Sequence, residues 1–335
     1  MTTLDLVLPV DEYDSLDELT ALAHRAERVG FARISAGETT GRDMVTTFAM
    51  LGDRTQEIGI STDVLSPFGR KPTVLAQTAL TMHELTGGRF RLGLGTSSPA
   101  IAERWHGDAF ESPLRRLRET IEVIRTVYEG GAVSYDGSVY DLGGLSYERP
   151  VPDSPPPIDV AALGPKATEL TGRFADGWVP QLFTPDGLLD RLTNLERGCQ
   201  LGDRSVESIR VMPLVRCFAS DDPERAREAM RSTLAFLIGA YGPYYGNSVA
   251  NQGYEAEVTA IRSAWDDRDT EAMTAALPEK LMDRLGAAGT PETVRERVSQ
   301  FVDLPGVDGV RVGFVRGMDP EDRRKTMAAL EPLLD

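Results

Sequence analysis

Residues 58–99, IGISTDVLSPFGRKPTVLAQTALTMHELTGGRFRLGLGTSSP, contain two short apolar segments joined by a stretch of helical periodicity. Residues 58–62 are rich in β-branched side chains and are followed by turn residues, which predicts a buried strand. Apolar residues then recur at helical spacing until Gly87-Gly88, which ends the predicted helix before a second strand at 90–94. A strand, a helix and another strand in this order are typical of a parallel sheet.

The same alternation continues along the chain. The predicted strands are residues 4–8, 31–35, 58–62, 90–94, 158–162, 177–180, 209–218 and 307–314. Parallel strands need covered faces and right-handed crossovers, so eight of them with intervening helices predict an α/β fold of the TIM (β/α)8 barrel type. A doubly wound sheet is the alternative.

We expect one barrel domain over residues 1–335, interrupted by two insertions. The first, at about 131–157, alternates around Asp136-Gly137 and predicts a hairpin. The second, at 241–285, is a long polar and aromatic segment. Long loops in compact domains tend to be functional, so we expect it to cover the substrate side or to contact another subunit.

The fourth predicted strand ends in a glycine-rich loop, Gly93-Leu94-Gly95-Thr96-Ser97-Ser98. Its backbone N–H groups and hydroxyls could bind an anion such as a phosphate, and its missing β-carbons could let a ligand approach. A tight turn has the same composition, and the spacing is not G-x-G-x-x-G. This loop alone therefore does not decide the function.

Several further motifs occur in a fixed order along nearly the whole chain: Gly41-Arg42-Asp43, Asp63-Val64-Leu65-Ser66-Pro67-Phe68, Arg70-Lys71-Pro72, Gly87-Gly88-Arg89-Phe90, Gly93-Leu94-Gly95-Thr96, Ala161-Ala162-Leu163-Gly164-Pro165-Lys166, Ala175-Asp176-Gly177 and Gly289-Thr290-Pro291-Glu292. Together they resemble the bacterial-luciferase-like superfamily of flavin and deazaflavin oxidoreductases, in particular its methylenetetrahydromethanopterin-reductase-like branch. The resemblance implies a luciferase-like barrel and an oxidoreductase that transfers a hydride between coenzyme F420 and an organic substrate, at a CH-NH or CH-OH group. The alternatives are an FMN-dependent monooxygenase or reductase of the same superfamily, and a non-catalytic cofactor-binding barrel.

The resemblance also implies a cofactor site, formed by Gly37, Asp63, Val64, Ser66, Gly95, Thr96, Ser97, Leu163, Gly164, Pro165 and Lys166. The phosphate of the cofactor tail is expected to meet backbone N–H groups of Gly95 and Thr96 and the helix start at Lys166. A non-prolyl cis peptide bond is expected between Asp63 and Val64, although the family commonly has glycine in place of Asp63.

Two residues are candidate catalytic groups. Glu38 stands where related alcohol- and sugar-oxidising enzymes have a histidine, and it could act as a general acid or base. The alternative is a loop carboxylate or a cap for the helix near Asp43. Ser98 is the second candidate. Like Val7, it stands where related enzymes often have an acid, which argues against a close copy of their activities.

Composition restricts the partners. A formal net charge of −16 disfavours nucleic acid and anionic membranes, so we expect a small-molecule substrate. Cys199 and Cys217 lack a disulfide-framework or metal-site spacing, and the three histidines are scattered; we expect buried cysteines, no metal site and a cytoplasmic location.

Association and salt response are also predicted. The resemblance implies a homodimer through residues 42–54 and 73–84, with Met44, Phe48 and Met82 as apolar contacts, unless these three pack inside the barrel. Only four of the 36 basic residues are lysines, which is typical of a halophile proteome. A GC-rich genome would also favour arginine.

Overall fold

The computed structural model describes residues 2–334, and within them the elements alternate as the sequence predicts. The strands are β1 (Leu4–Val7), β2 (Arg33–Ala36), β3 (Gly59–Thr62), β4 (Phe90–Leu94), β5 (Ala132–Asp136), β6 (Asp141–Ser146), β7 (Ile158–Val160), β8 (Gly177–Trp178), β9 (Arg210–Val211), β10 (Leu214–Ala219), β11 (Gly286–Gly289) and β12 (Val310–Phe314). The α-helices are α1 (Leu16–Val29), α2 (Met44–Arg54), α3 (Pro72–Leu85), α4 (Pro113–Glu129), α5 (Pro165–Phe174), α6 (Pro185–Leu201), α7 (Pro223–Gly239), α8 (Pro243–Val249), α9 (Glu255–Asp266), α10 (Thr270–Ala275), α11 (Glu279–Leu285), α12 (Pro291–Val302) and α13 (Pro320–Leu330).

The parallel strands form a ring. Neighbouring strands follow the order β11-β10-β12-β1-β2-β3-β4-β7-β8-β9. The two strands β9 and β10 are separated only by Met212 and Pro213, so they are halves of one barrel strand. The N–H of Leu214 donates to the carbonyl of Pro180 at 2.8 Å, which joins this strand to the end of β8 and closes the ring. The TIM-barrel prediction is confirmed.

Local sequence signals set the helix ends. In α1, Ser15 accepts a hydrogen bond from the N–H of Glu18 at 3.2 Å, and the Glu18 side chain accepts one from the Ser15 N–H in return. Gly30 ends the helix at a φ of 101°, a left-handed conformation that glycine adopts without a side-chain clash. The apolar face of α1, with Leu19 and Ala23, is buried against the barrel.

Two details differ from the prediction. The seventh predicted strand, 209–218, is divided at Pro213, which has no N–H for the ladder. The strand β11 was not predicted because its sequence, GAAG, contains no β-branched or aromatic residue. It pairs in parallel with β10 from Arg216 to Ala219.

The insertions have defined structures. The first contains the antiparallel hairpin β5–β6, as predicted. The second is helical and comprises α8, α9, α10 and α11. Its Gln252 side chain donates to the carbonyl of Leu182 at 3.0 Å and accepts from the N–H of Thr184 at 2.8 Å, in the loop that follows β8. The insertion therefore packs at the mouth formed by the C-terminal ends of the strands. Residues 2–334 contain no helix long and apolar enough to cross a membrane.

Candidate functional site

The loops that carry the predicted site residues follow β2, β3, β4 and β7, which are consecutive neighbours in the barrel. Parallel strands end at the same mouth of a barrel, where active sites of this fold form. The structure therefore brings the predicted residues between Gly37 and Lys166 to one rim. Neighbouring loops touch there: a β-carbon on Gly95 would lie 3.6 Å from that of Ala161.

The backbone bulges at the end of β3. The Asp63–Val64 peptide bond is cis, as predicted. The N–H of Asp63 donates to the carbonyl of Ala36 at 2.7 Å, and the carbonyl of Val64 accepts from the N–H of Glu38 at 3.2 Å. The next N–H, of Leu65, donates to the carbonyl of Gly93 at 2.9 Å. The bulge is thus held between the loops after β2 and β4.

Glycines are needed around this bulge. A β-carbon on Gly37 would lie 2.7 Å from the carbonyl oxygen of Asp63, and one on Gly95 would lie 2.5 Å from Cγ2 of Val64. From the sequence, we interpreted the missing β-carbons as space for a ligand. At these two positions, however, the space is filled by the bulge of the protein itself. Gly164 differs, since a β-carbon there would have no heavy atom within 4 Å.

Two neighbouring loops offer free hydrogen-bond donors. The helix α5 begins at Pro165 after Gly164, and no side chain caps it. By contrast, Thr184 caps α6 and Thr290 caps α12 with their hydroxyls. The prediction that the Gly95 N–H binds the phosphate is wrong, because this N–H donates to the carbonyl of Leu65 at 3.1 Å. Across residues 2–334, no backbone or side-chain group accepts from the N–H of Thr96 or of Ser97 in the same loop. A helix N-terminus without a cap favours an anion, so this rim fits the phosphate of a cofactor.

Lys166 adds a positive charge to this rim. It lies in the first turn of α5, is exposed, and forms no ion pair with any residue from 2 to 334. Leu163 packs partly against the core below it. The hydrogen-bond donors at the rim are therefore backbone N–H groups and the ammonium group of Lys166, which suit an anion rather than a metal ion. In the described part of the chain, no three His, Cys, Asp or Glu side chains are arranged to hold a metal.

Glu38 is held by an arginine. Its two carboxylate oxygens accept from Nε and Nη2 of Arg70 at 3.0 and 2.8 Å, and Oε2 also accepts from the N–H of Met44 at 3.1 Å. Arg70 also contacts Asp43, the residue that caps α2. This geometry fits the capping alternative; the acid–base role of Glu38 stays a prediction.

The two serines and Val7 occupy less specific positions. The Ser66 hydroxyl accepts from the N–H of Phe68 at 3.2 Å and so stabilises a turn. The Ser98 hydroxyl accepts from the N–H of Ile101 at 3.4 Å, at the start of a π-helical segment, Ala100–Trp105. Val7 ends β1 and is half-buried. A catalytic role of Ser98 also stays a prediction.

The barrel interior is charged, which was not predicted from the sequence. Seven of the barrel strands or their ends carry an inward acid or arginine: Asp5, Arg33, Asp63, Arg91, Asp159, Arg210, Arg216 and Arg311. Arg91 pairs with Asp159 at 2.5 Å, and Arg210 pairs with Asp5 at 2.8 Å. Burial opposes ionisation of Asp159, but the hydrogen bonds and charge of Arg91 outweigh it and hold the pKa of Asp159 below its ordinary value. A charged residue near the start of several apolar strands, such as Asp5, Arg91 and Asp159, was the available signal.

One interior pair reaches the bulge. Arg311, on β12, contacts the carboxylate of Asp63 and also donates to the carbonyls of Met212 and Pro180, each at 2.9 Å. Burial raises the pKa of Asp63 above its ordinary value, although the charge and hydrogen bond of Arg311 oppose that shift. The side chain of Asp63 therefore points into the barrel rather than away from it.

The chain is thus a closed barrel of the TIM class with a bulge after its third strand and two anion-receptive loops at its C-terminal mouth, the end where active sites of this fold form. The model of the luciferase-like monooxygenase family matches residues 4–308. The chain belongs to this family, as its motifs predicted.

Known relatives include oxidoreductases. The chain is 31% identical over 261 residues to the F420-dependent glucose-6-phosphate dehydrogenase of Mycobacterium avium, covering 76% of this chain and 72% of that one. It is 27% identical over 282 residues to the 5,10-methylenetetrahydromethanopterin reductase of Archaeoglobus fulgidus, covering 83% of each. The solved structure of the F420-dependent tetrahydromethanopterin reductase of Methanopyrus kandleri superposes with a TM-score of 0.84 at 22% identity, over 100% of this chain and 99% of that chain. That last likeness concerns the fold.

Proposed function

We propose that this chain is an oxidoreductase that uses coenzyme F420 and transfers a hydride between it and an organic substrate. The relatives at 27 and 31% identity support this proposal, since their names specify an F420-dependent dehydrogenase and a reductase of the pterin branch. Within the chain, the proposal rests on one observation: α5 begins without a side-chain cap, beside the free N–H groups of Thr96 and Ser97.

The rim residues have separate tasks in this proposal. The N–H groups of Thr96, Ser97 and the first turn of α5, with the charge of Lys166, bind the phosphate of the cofactor tail. The bulge of Asp63 and Val64 supports the ring system from the barrel side. The cofactor supplies the hydride-carrying carbon, so the protein needs to orient it and to exclude water.

Aromatic side chains help to cover the mouth. Phe68, in the loop after β3, stacks on Phe110 with ring centroids 4.9 Å apart, and Phe110 lies 6.4 Å from Tyr244 in the second insertion. These contacts link loops on opposite parts of the rim and reduce access of water to the site. They support the interpretation that residues 241–285 cover the substrate side.

A paired titration tests the cofactor. The purified chain is titrated with F420 and, separately, with FMN, and the change in cofactor fluorescence is followed. We expect saturable binding of F420 and at least tenfold weaker binding of FMN. Saturation by FMN alone would favour the monooxygenase alternative, and saturation by neither would contradict the proposal.

A lysine variant tests the rim. Lys166→Gln should weaken F420 binding about three- to tenfold, the effect of one exposed charge beside a phosphate. Lys280→Gln, which removes an exposed lysine on α11, is the matched control and should bind F420 like the parent. Equal affinity of the parent and both variants would place the phosphate elsewhere.

A further inference from the structure

Two arginines of the charged interior, Arg33 and Arg216, form no ion pair among residues 2–334. Arg33 has other acceptors, since its Nη1 donates to the carbonyls of Ile60 and Arg89 at 3.0 and 2.7 Å. Arg216 lies on β10, where Val215 and Cys217 face the surrounding helices and are buried. Arg216 faces inward and is half-buried. Its register partner on β12 is Gly313, whose missing side chain leaves room: a β-carbon there would lie 3.7 Å from Cγ of Arg216.

Each of the other inward arginines has close partners, which for Arg33 are the two backbone carbonyls. Arg91, Arg210 and Arg311 each pair with an aspartate. Among residues 2–334, Arg216 forms no ion pair, and its one polar contact is a long one, from Nη1 to Oε1 of Gln181 at 3.5 Å. The carboxylate of Asp63, whose charge acts on Arg216, is already held by Arg311. A guanidinium partly withdrawn from water without a counter-charge is unfavourable, so this position is suited to an anion brought from outside.

Its surroundings are partly apolar. Gln181, at the end of β8, donates from Nε2 to the Tyr245 hydroxyl at 2.6 Å. The ring of Tyr245 stacks on that of Tyr241, with centroids 5.6 Å apart, so the second insertion contributes an aromatic wall beside the arginine. Burial lowers the pKa of the Arg216 guanidinium, and burial raises the pKa of the Tyr245 hydroxyl to about 12. Arg216 stays charged and Tyr245 stays neutral near pH 7.

We infer that Arg216, Gln181 and Tyr245 form a substrate subsite that binds the carboxylate of an organic acid. A single planar guanidinium matches the two oxygens of a carboxylate, and the Gln181 amide and the tyrosine rings can contact the remainder of the molecule. That the bound acid is a substrate rests on the proposed function. The inference adds a substrate class, organic acids, to the proposed function.

The test uses a probe acid and its neutral counterpart. The F420-loaded protein and the cofactor-free protein are each titrated with benzoate and with benzamide by calorimetry. We expect benzoate to bind at least tenfold more tightly than benzamide. In Arg216→Gln, benzoate affinity should fall at least tenfold and benzamide affinity should be unchanged.

The controls separate the two proposals. Arg316→Gln removes an exposed arginine near the same mouth, on the ring of Phe236, and should bind benzoate like the parent. If Arg216→Gln fails to fold, Arg216→Lys, which keeps the charge but not the planar fork, should bind benzoate with intermediate affinity. Benzoate binding that is equal in the parent and the Arg216 variants overturns the subsite. If the parent protein binds benzoate but does not bind F420, only the cofactor proposal is overturned.

Discussion

Glycines at the rim have two different physical roles, although the sequence gives no sign of the difference. At Gly37, added atoms would collide with the backbone carbonyl of Asp63, which cannot move without disturbing the bulge. At Gly164, the same atoms would meet open space, and the φ of −84° suits any residue. The two positions therefore form a matched pair for substitution.

Gly37→Ala should destabilise the fold by about 1–3 kcal/mol, the usual cost of forcing an extra carbon into a packed region. Gly164→Ala should change stability by less than about 0.5–1 kcal/mol, since only the preference of the N-cap position is affected. Urea unfolding of the two variants beside the parent measures both. A Gly37→Ala variant as stable as Gly164→Ala would show that the bulge is not tightly held by this loop.

At the level of elements, Glu119 on α4 fixes the hairpin β5–β6. Its carboxylate accepts three backbone hydrogen bonds, from Ser138, Val139 and Tyr140, at 3.1, 2.8 and 3.1 Å. Burial opposes ionisation, but these three bonds outweigh it and hold the pKa of Glu119 below its ordinary value. Ionised Glu119 thus stabilises the folded state above its unfolded-chain pKa of about 4.3, and the contribution is lost as the pH falls through the lower folded pKa.

Glu119→Gln should consequently lower the melting temperature at pH 7, and the difference from the parent should shrink below about pH 4. Amide hydrogen exchange in residues 132–146 should quicken in the same variant. Glu129→Gln, an exposed position at the end of α4, serves as the control and should match the parent. A melting difference that is constant across the pH range would show that the charge of Glu119 is not responsible.

The predictability of these elements has a physical basis. Barrel strands are short apolar runs bounded by turn residues, so all eight could be located from the sequence. The ends of these strands then showed which loops form the rim. The strand β11 lacked a compositional signal, and the ion pairs of the interior join residues far apart in the chain. The pair of Glu38 and Arg70, 32 residues apart, decides how the Glu38 carboxylate is oriented, and no local pattern contains that information.

For the whole molecule, the dimer prediction needs one correction. Met44, Phe48 and Met82, proposed as interface contacts, are buried in the chain's own core, because α2 and α3 turn these faces toward the barrel. Val74 on α3 is 44% exposed and remains available within residues 73–84. The proposed homodimer would therefore use the outward face of α3.

Salt should strengthen that dimer if it forms. Two chains that each carry a formal charge of −16 repel one another, and the Debye length falls from about 10 Å at 0.1 M to about 3 Å at 1 M salt. We expect the dimer fraction and the melting temperature to rise together between these concentrations, and Val74→Asp to abolish the rise in dimer. Light scattering that finds a monomer at both salt concentrations would exclude the homodimer, and a melting temperature that falls with salt would exclude salt adaptation.

The proposed function depends most on where the cofactor binds. A cleft of about 480 Å³ lies at the opposite, N-terminal mouth and is lined by Arg91, Arg125, Asp176, Arg210 and Asp308. A diffraction structure of the protein crystallised with F420 distinguishes the two ends of the barrel. We expect the tail phosphate to lie within hydrogen-bonding distance of the Thr96 and Ser97 N–H groups and of the start of α5. Density for F420 in the N-terminal cleft, with the C-terminal rim free of it, would contradict the proposed cofactor site.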